Sequence, residues 1–273
     1  MASTDSQFSG SVPEFYDTYM VPLIFEQYAA DMARRVAELA PKTVLETAAG
    51  SGVVTRTLAP LLRRDATYCV TDLNQPMLDH AAKRQGPDGR MTWLQADALN
   101  LPLEDQSFDV VCCQFGAMFF PDRVAGYREA ERVLEPGGHF IFNVWDQISE
   151  NVFADVITKT AASFFPNDPP MFLARTPHGY HDTRLIRQEL EKAGFADIAI
   201  ATIAGMSTAP SAKHVAIAYC KGTPLRFEIE ARNAALLDEV TDRSAKAIAE
   251  QFGQTSVSGK IQAHVIVATA GRE

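Results

Sequence analysis

A short β-prone run, Thr43-Val44-Leu45-Glu46-Thr47, passes without a spacer into Ala48-Ala49-Gly50-Ser51-Gly52. Few folds accommodate an apolar strand that ends in a glycine-punctuated turn and continues as a helix. The glycines permit a tight turn and let backbone N–H groups approach a ligand closely. The strand–helix unit then recurs. Residues 66–71 read as a strand closed by Asp72, and Pro76 suits the first turn of the following helix, where a missing N–H costs nothing. Residues 91–95 form a third strand. Residues 108–113 form a fourth, nearly all apolar, as a strand buried on both faces requires. A helix over 121–134, the Pro136-Gly137-Gly138 turn and a strand over 139–145 complete the series. Five such alternations predict an α/β fold with a doubly wound parallel sheet.

Outside this block the pattern loosens. Residues 1–11 are small and polar and read as a loose tail. Tyr28, Met32, Val36 and Leu39 mark one face of an N-terminal helix that Pro41 ends. Further on, helices are expected over 151–165 and 182–193, the second closed by Gly194. A strand over 197–204, a mostly helical stretch over 207–254 and an alternating strand over 258–269 follow.

Charge narrows the function classes. The chain has 25 Lys+Arg against 34 Asp+Glu, a net charge of −9, so phosphate backbones and anionic membrane surfaces are poor partners. No stretch reaches the ~20 apolar residues of a membrane span. The first seven residues lack the basic start and apolar segment of a secretory leader. Cys69, Cys112, Cys113 and Cys220 contain no Cys-x-x-Cys pair, which predicts buried reduced thiols in a cytoplasmic protein and no metal site.

In a doubly wound sheet, ligands bind beyond the carboxyl ends of the strands, where strand order reverses. The first strand ends in Glu46 and the glycine turn, the second in Asp72, the third in Asp97-Ala98, the fourth in Gln114-Phe115 and the fifth in Trp145-Asp146. Asp72 lies 20 residues after Gly52, where a carboxylate can accept from two vicinal ribose hydroxyls. The set predicts a nucleoside ligand. The Gly-x-Gly-x-x-Gly dinucleotide fingerprint fails at its third position, which is Thr55, and no Gly-x-x-x-x-Gly-Lys-Ser/Thr stretch exists.

These motifs carry a resemblance. Val44-Leu45-Glu46-Thr47-Ala48-Ala49-Gly50-Ser51-Gly52, then Thr71-Asp72-Leu73-Asn74-Gln75-Pro76-Met77-Leu78, Gln95-Ala96-Asp97-Ala98, Ser107-Phe108-Asp109-Val110-Val111 and Glu131-Arg132-Val133-Leu134-Glu135-Pro136-Gly137-Gly138 stand in the order and at the spacing of a family. The chain resembles the class I S-adenosylmethionine-dependent methyltransferases, in the small-molecule branch of ubiquinone/menaquinone-type (type 11) enzymes. The likeness covers about residues 43–145. One position departs from it: the first of the family's three alternating glycines is Ala48 here.

The resemblance implies a Rossmann-like seven-stranded sheet with an antiparallel last strand and a helical cap. The segments would be a tail and helical lid (1–40), a cofactor-binding core (41–146), a cap segment (147–181), a core helix and strand (182–206), a helical cap insertion (207–254) and a final core strand (255–273). It implies S-adenosylmethionine as cofactor, S-adenosylhomocysteine as product and a small molecule as partner. It leaves the oligomeric state open. Glu46 would hold the glycine loop or reach the cofactor's ammonium. Ala48, Gly50 and Gly52 would line the cofactor, Asp72 would bind the ribose, and Leu73 and Met77 would cover the adenine. Asp97 and Ala98 would read the adenine edge, and Gln114 would lie by the methionine part. Tyr16 would belong to a lid over the cofactor. Tyr19, Phe115, Met118, Phe119 and Trp145 would line the substrate pocket. His178 and His181 are the candidates for a base or substrate ligand. Two other readings compete: an NAD(P)-dependent oxidoreductase, disfavoured by Thr55, and a non-catalytic S-adenosylmethionine-binding module, disfavoured by the retained acids and glycines.

Overall fold

The computed structural model describes residues 15–271. In chain order a π-helical segment, Tyr16–Phe25, leads into α1 (Glu26–Glu38), β1 (Thr43–Glu46), α2 (Val53–Leu58), β2 (Thr67–Asp72), α3 (Gln75–Gln85), β3 (Met91–Gln95) and β4 (Phe108–Gln114). Then come α4 (Arg123–Val133), β5 (Leu134–Trp145), α5 (Val152–Phe164), α6 (Phe172–Arg175), α7 (Thr183–Ala193) and β6 (Asp197–Ser211). The chain closes with α8 (Ala212–Gly222), α9 (Leu225–Asn233), α10 (Leu237–Phe252) and β7 (Thr255–Thr269).

The seven strands lie in the order β3-β2-β1-β4-β5-β7-β6. Strands β1 to β5 pair in parallel and the last strand is antiparallel, as expected. Strand order reverses between β1 and β4, so the crevice for a ligand opens at their carboxyl ends.

The chain forms two compact units. One holds residues 26–144, 181–203 and the end of the chain from His264. Its core packs Ala29, Met32, Ala33 and Val36 of α1 with Val54 and Leu58 of α2 and Val44, Val70, Val110 and Ile141 of the sheet. Aromatic rings fill a second cluster: Phe140 stacks on Phe142 at 4.7 Å, and Tyr127 and Phe195 join them at 5.3 and 5.8 Å. The other unit holds the segment ending at Phe25 with residues 145–180 and 204–263. Its helices α5, α8 and α10 bury Phe153, Ile157, Val215, Tyr219, Val240 and Ile248.

Several expected boundaries move. Helix α1 ends at Glu38, so Leu39 falls past it and is 41% exposed while Tyr28, Met32 and Val36 are buried. The N-terminal helix begins as a π-helix around Pro22, whose ring supplies no N–H to the helical ladder. Strand β6 runs on to Ser211, well beyond the expected residue 204, because small and β-branched residues carry the extended chain up to the Ser211 cap of α8. Pro136-Gly137-Gly138 lies inside β5 as an irregularity: Phe108 pairs with Leu134, and pairing resumes at Val110 with His139. Gly137 sits there at φ 80°.

The parallel β1–β4 pair is tied at its start. Asp109 Oδ2 accepts from the Lys42 and Thr43 N–H groups at 2.6 and 2.9 Å, and the Asp109 N–H donates to Thr43 Oγ1 at 2.8 Å. Asp109→Ala leaves the Thr43 N–H without this acceptor in a partly buried place. The expected loss is ~1–3 kcal/mol of unfolding free energy by urea titration, with an unchanged far-ultraviolet circular dichroism spectrum.

Candidate functional site

At the carboxyl end of β1 the chain leaves the sheet through two left-handed glycines, Gly50 at φ 57° and Gly52 at φ 78°. A Cβ on Gly52 would meet Ala81 Cβ at 2.8 Å, so only glycine allows α2 to start this close to α3. The Gly50 N–H donates to Asp72 Oδ2 at 2.8 Å, and the Asn74 N–H donates to Asp72 Oδ1 at 2.7 Å. Asp72 is 6% exposed. Burial pushes its carboxyl above the ordinary range, and the Asn74 and Gly50 N–H bonds oppose that. Each carboxylate oxygen has two acceptor positions. Vicinal hydroxyls of a ribose therefore find acceptor capacity on a carboxylate whose orientation is already fixed.

Glu46, 1% exposed, lies at the end of β1. Its Oε2 accepts from Thr55 Oγ1 at 2.7 Å and from Tyr68 OH at 2.5 Å. Burial raises its carboxyl to about 7, against the pull of these two hydroxyls. The glycine turn is held by Asp72, while Glu46 holds the first turn of α2 through Thr55. The third position of the failed dinucleotide fingerprint thus carries a hydroxyl that anchors a buried acid. Sequence reasoning missed Thr55 and Tyr68 as partners. The available signal was a tyrosine in an otherwise aliphatic strand, whose buried hydroxyl needs a partner.

Ala48 adopts φ 53°, a left-handed conformation that costs an alanine ~1–2 kcal/mol. Its methyl group packs where Gly116 has no side chain: a Cβ on Gly116 would lie 2.5 Å from Ala48 Cβ and 2.7 Å from Cys113 Sγ. Phe115, after β4, is also left-handed at φ 51°, with its N–H on Asn143 Oδ1 at 2.9 Å and its ring edge-on to Tyr28 at 5.4 Å. Two strained residues thus flank the reversal of strand order, and such strain concentrates at working sites.

Around this centre Met77 is buried, with its terminal methyl 3.7 Å from where a Gly50 Cβ would stand. Leu73 is 52% exposed at the mouth of the turn. Asp97 is exposed, and its Oδ1 accepts from the Leu99 N–H at 2.9 Å. Ala98 and Gln114 are half-buried, Met118 is buried and Phe119 half-buried. His181 belongs to this unit and is half-buried.

The other unit holds the remaining candidates. Tyr16 stacks on Phe25 at 5.2 Å, Phe25 meets Trp145 at 6.0 Å, and Trp145 meets His178 at 6.1 Å. His178 is buried, with Nδ1 2.8 Å from the Asp146 carbonyl oxygen. A carbonyl only accepts, so Nδ1 carries the proton of the neutral ring and Nε2 carries the lone pair. Gln262 Nε2 fixes the Asp146 carboxylate at 2.6 Å. Tyr19 packs against Phe15 at 5.6 Å and His214 at 4.8 Å.

The glycine cradle, the oriented Asp72 and the buried Ser51 Oγ, which has no hydrogen-bond partner among the described residues, fit a nucleoside with a polar tail. Comparison with known proteins gives that ligand a name. A methyltransferase domain model, type 11, matches residues 45–142. A demethylmenaquinone methyltransferase of Mycolicibacterium gilvum is 31% identical over 177 residues, covering 60% of this chain and 73% of that one. This chain belongs to the class I S-adenosylmethionine-dependent methyltransferases of the ubiquinone/menaquinone type. The C-methyltransferase UbiE of ubiquinone/menaquinone biosynthesis from Ectopseudomonas mendocina is 29% identical over 164 residues, 56% of this chain and 64% of that relative. The fold matches phosphoethanolamine N-methyltransferase 2 of Haemonchus contortus, solved with S-adenosyl-L-methionine, with a TM-score of 0.63 at 17% identity over 100% of this chain and 61% of that one. It also matches the Bacillus subtilis YcgJ protein with a TM-score of 0.57 at 19% identity, over 90% of this chain and all of that one. The methyltransferase uses S-adenosylmethionine as methyl donor, and the expectation of this family and cofactor holds.

Glu46 is a stability liability at neutral pH. Its carboxyl ionises at an ordinary 4.5 and at about 7 in the folded protein, so its favourable share is present below 4.5 and is lost as pH rises through 7. Glu46→Gln keeps an acceptor for Thr55 and Tyr68 without the charge. The variant is expected to match wild type near pH 4.5 and to exceed it at pH 8 by up to ~3 kcal/mol in denaturant titrations at the two pH values.

Proposed function

We propose that this methyltransferase acts on a small aromatic acceptor of the phenol or hydroquinone class. The observation that carries the methyl-donor half of this reading is the Gly50–Asp72 pair: a buried carboxylate already aimed by the glycine turn and by Asn74. When bound, S-adenosylmethionine supplies a sulfonium methyl carbon open to in-line displacement. Asp72 accepts from both ribose hydroxyls. Leu73 and Met77 cover the adenine, and Asp97 and the Ala98 N–H take its polar edge. Ala48, Gly50, Gly52 and Gln114 line the methionine part, with Tyr16 as a lid residue.

The names of the demethylmenaquinone and ubiquinone/menaquinone relatives support a ring acceptor. So does the run of rings from Tyr16 through Trp145 to His178. Phe115, Met118 and Phe119 of the sheet unit serve to hold the acceptor and exclude water, and Tyr19 and Trp145 are the pocket candidates of the other unit. Alignment and water exclusion together are worth ~7–11 kcal/mol of barrier. His178 Nε2 takes a proton from the acceptor hydroxyl, and His181 is a further contact to the acceptor. No helix among the described residues is long and apolar enough to cross a membrane. The four free, buried thiols agree with work in the cytoplasm.

Thermal unfolding separates the parts of this reading. S-adenosylmethionine or S-adenosylhomocysteine at ~100 times its Kd is expected to stabilise by about 2.7 kcal/mol, at roughly 2–4 °C per kcal/mol, and NADPH to give no shift. Asp72→Ala is expected to lose the adenosyl shift. His178→Asn keeps a donor for the Asp146 carbonyl and lacks the base, so kcat with a reduced naphthoquinol is expected to fall ~10²–10⁴-fold with the S-adenosylhomocysteine shift intact. An unchanged kcat removes His178 as the base.

A further inference from the structure

Three hydroxyls fix Glu46. Thr55 Oγ1 and Tyr68 OH converge on Oε2, and Thr71 Oγ1 donates to the Glu46 carbonyl at 3.0 Å. Thr55 and Tyr68 are themselves buried, so neither donor can turn to water instead. Among the described residues Glu46 forms no salt bridge. The ionisable groups whose charge reaches it are Asp72 on β2, Arg56 on α2, Tyr68 on β2 and the Cys112 and Cys113 thiols on β4. Arg56 is the one cation of that set, and its Nη1 is engaged on the Ser51 carbonyl at 2.5 Å. A cation brought near an acid so placed favours its charged form.

We propose that Tyr68 and Thr55 are positioning residues that make Glu46 a charge-responsive element of the cofactor site: the carboxyl keeps its proton in the unliganded protein and releases it to solvent when the cationic methyl donor enters. The inference rests on the S-adenosylmethionine reading of the site. S-adenosylmethionine carries one net positive charge, and S-adenosylhomocysteine carries none. An ionised Glu46 therefore favours the donor over the spent product. Asp72 meets the same ribose in both ligands, so its own titration cancels in the ratio of the two affinities. The two hydroxyls favour the ionised carboxyl, and burial favours the protonated one. Tyr68 and Thr55 thus place the changeover near neutral pH.

The test is isothermal calorimetry with each ligand from pH 5.5 to 8.5, on wild type, Tyr68→Phe and Thr55→Val. In wild type the preference for S-adenosylmethionine over S-adenosylhomocysteine is expected to grow as pH rises toward about 7, by up to tenfold per unit at its steepest, and to level off above it. Titrations below that point, in two buffers of different ionisation enthalpy, are expected to show proton release with S-adenosylmethionine. Removing either hydroxyl is expected to move the changeover to higher pH, so that the preference at pH 7 falls several-fold and returns at pH 8.5. A merely structural role would lower both affinities together at every pH. A wild-type preference that is flat with pH, or variants whose profiles overlay wild type, overturns the proposal. If Tyr68→Phe does not fold, Thr55→Val and the wild-type proton count decide it. Failure of wild type to bind either ligand at any pH overturns the cofactor reading itself, a distinguishable result.

Discussion

The hydrogen bond from the Gly50 N–H to Asp72 ties the turn after β1 to the end of β2, the neighbouring strand. Parallel pairing of β1 with β2 and β4 brings those ends level, and the bond then sets where the turn can go. Helix α2 starts from that turn and carries Thr55 back under the sheet to Glu46. The Gly50 N–H, with that of Asn74, therefore sets the direction of the Asp72 carboxylate, and the same turn leads into the helix that carries Thr55 to Glu46. The core of α1, α2 and the sheet packs against a geometry that this bond has fixed.

The site uses charge against the fold's own interest. Glu46 and Asp72 are both buried and both pushed toward the protonated form by desolvation. An apolar pair of similar volume would pack there with no such cost. That cost fits the proposed function, in which the bound methyl donor uses them. The same logic applies to the left-handed Ala48 and Phe115, which hold unfavourable conformations beside the reversal of strand order. Binding chemistry and backbone strain share a few residues, while the cores of both units are built from ordinary aliphatic and aromatic packing.

Much of this was legible in the sequence. The glycine turn, Asp72 and the apolar strands β1 and β4 announce themselves by spacing and hydropathy, because parallel strands are buried on both faces and turns need glycine. The role of Glu46 was less legible: its hydroxyl partners, Thr55 and Tyr68, come from a helix nine residues on and a strand 22 residues on, and only the fold brings them to one oxygen. The long extension of β6 and the π-helical start before α1 also escaped, since small residues and an internal proline suit several local conformations. His178 and His181, three residues apart, seem one feature in sequence. The chain crosses from one compact unit to the other between them, and the His178 ring is fixed by the Asp146 carbonyl.

The contact between Ala48 and Gly116 has a historical consequence. A methyl group at position 48 is admissible only in a chain that already lacks a side chain at 116, since the two Cβ atoms would stand 2.5 Å apart. The order in which these two positions can change is therefore constrained. Glycine at 116 must come first, and once alanine occupies 48 no side chain can return to 116 while it stays. Two sites far apart in the sequence are thus sterically coupled. Glycine at 48 would remove one of the two close contacts at 116 and leave the other, with Cys113 Sγ at 2.7 Å.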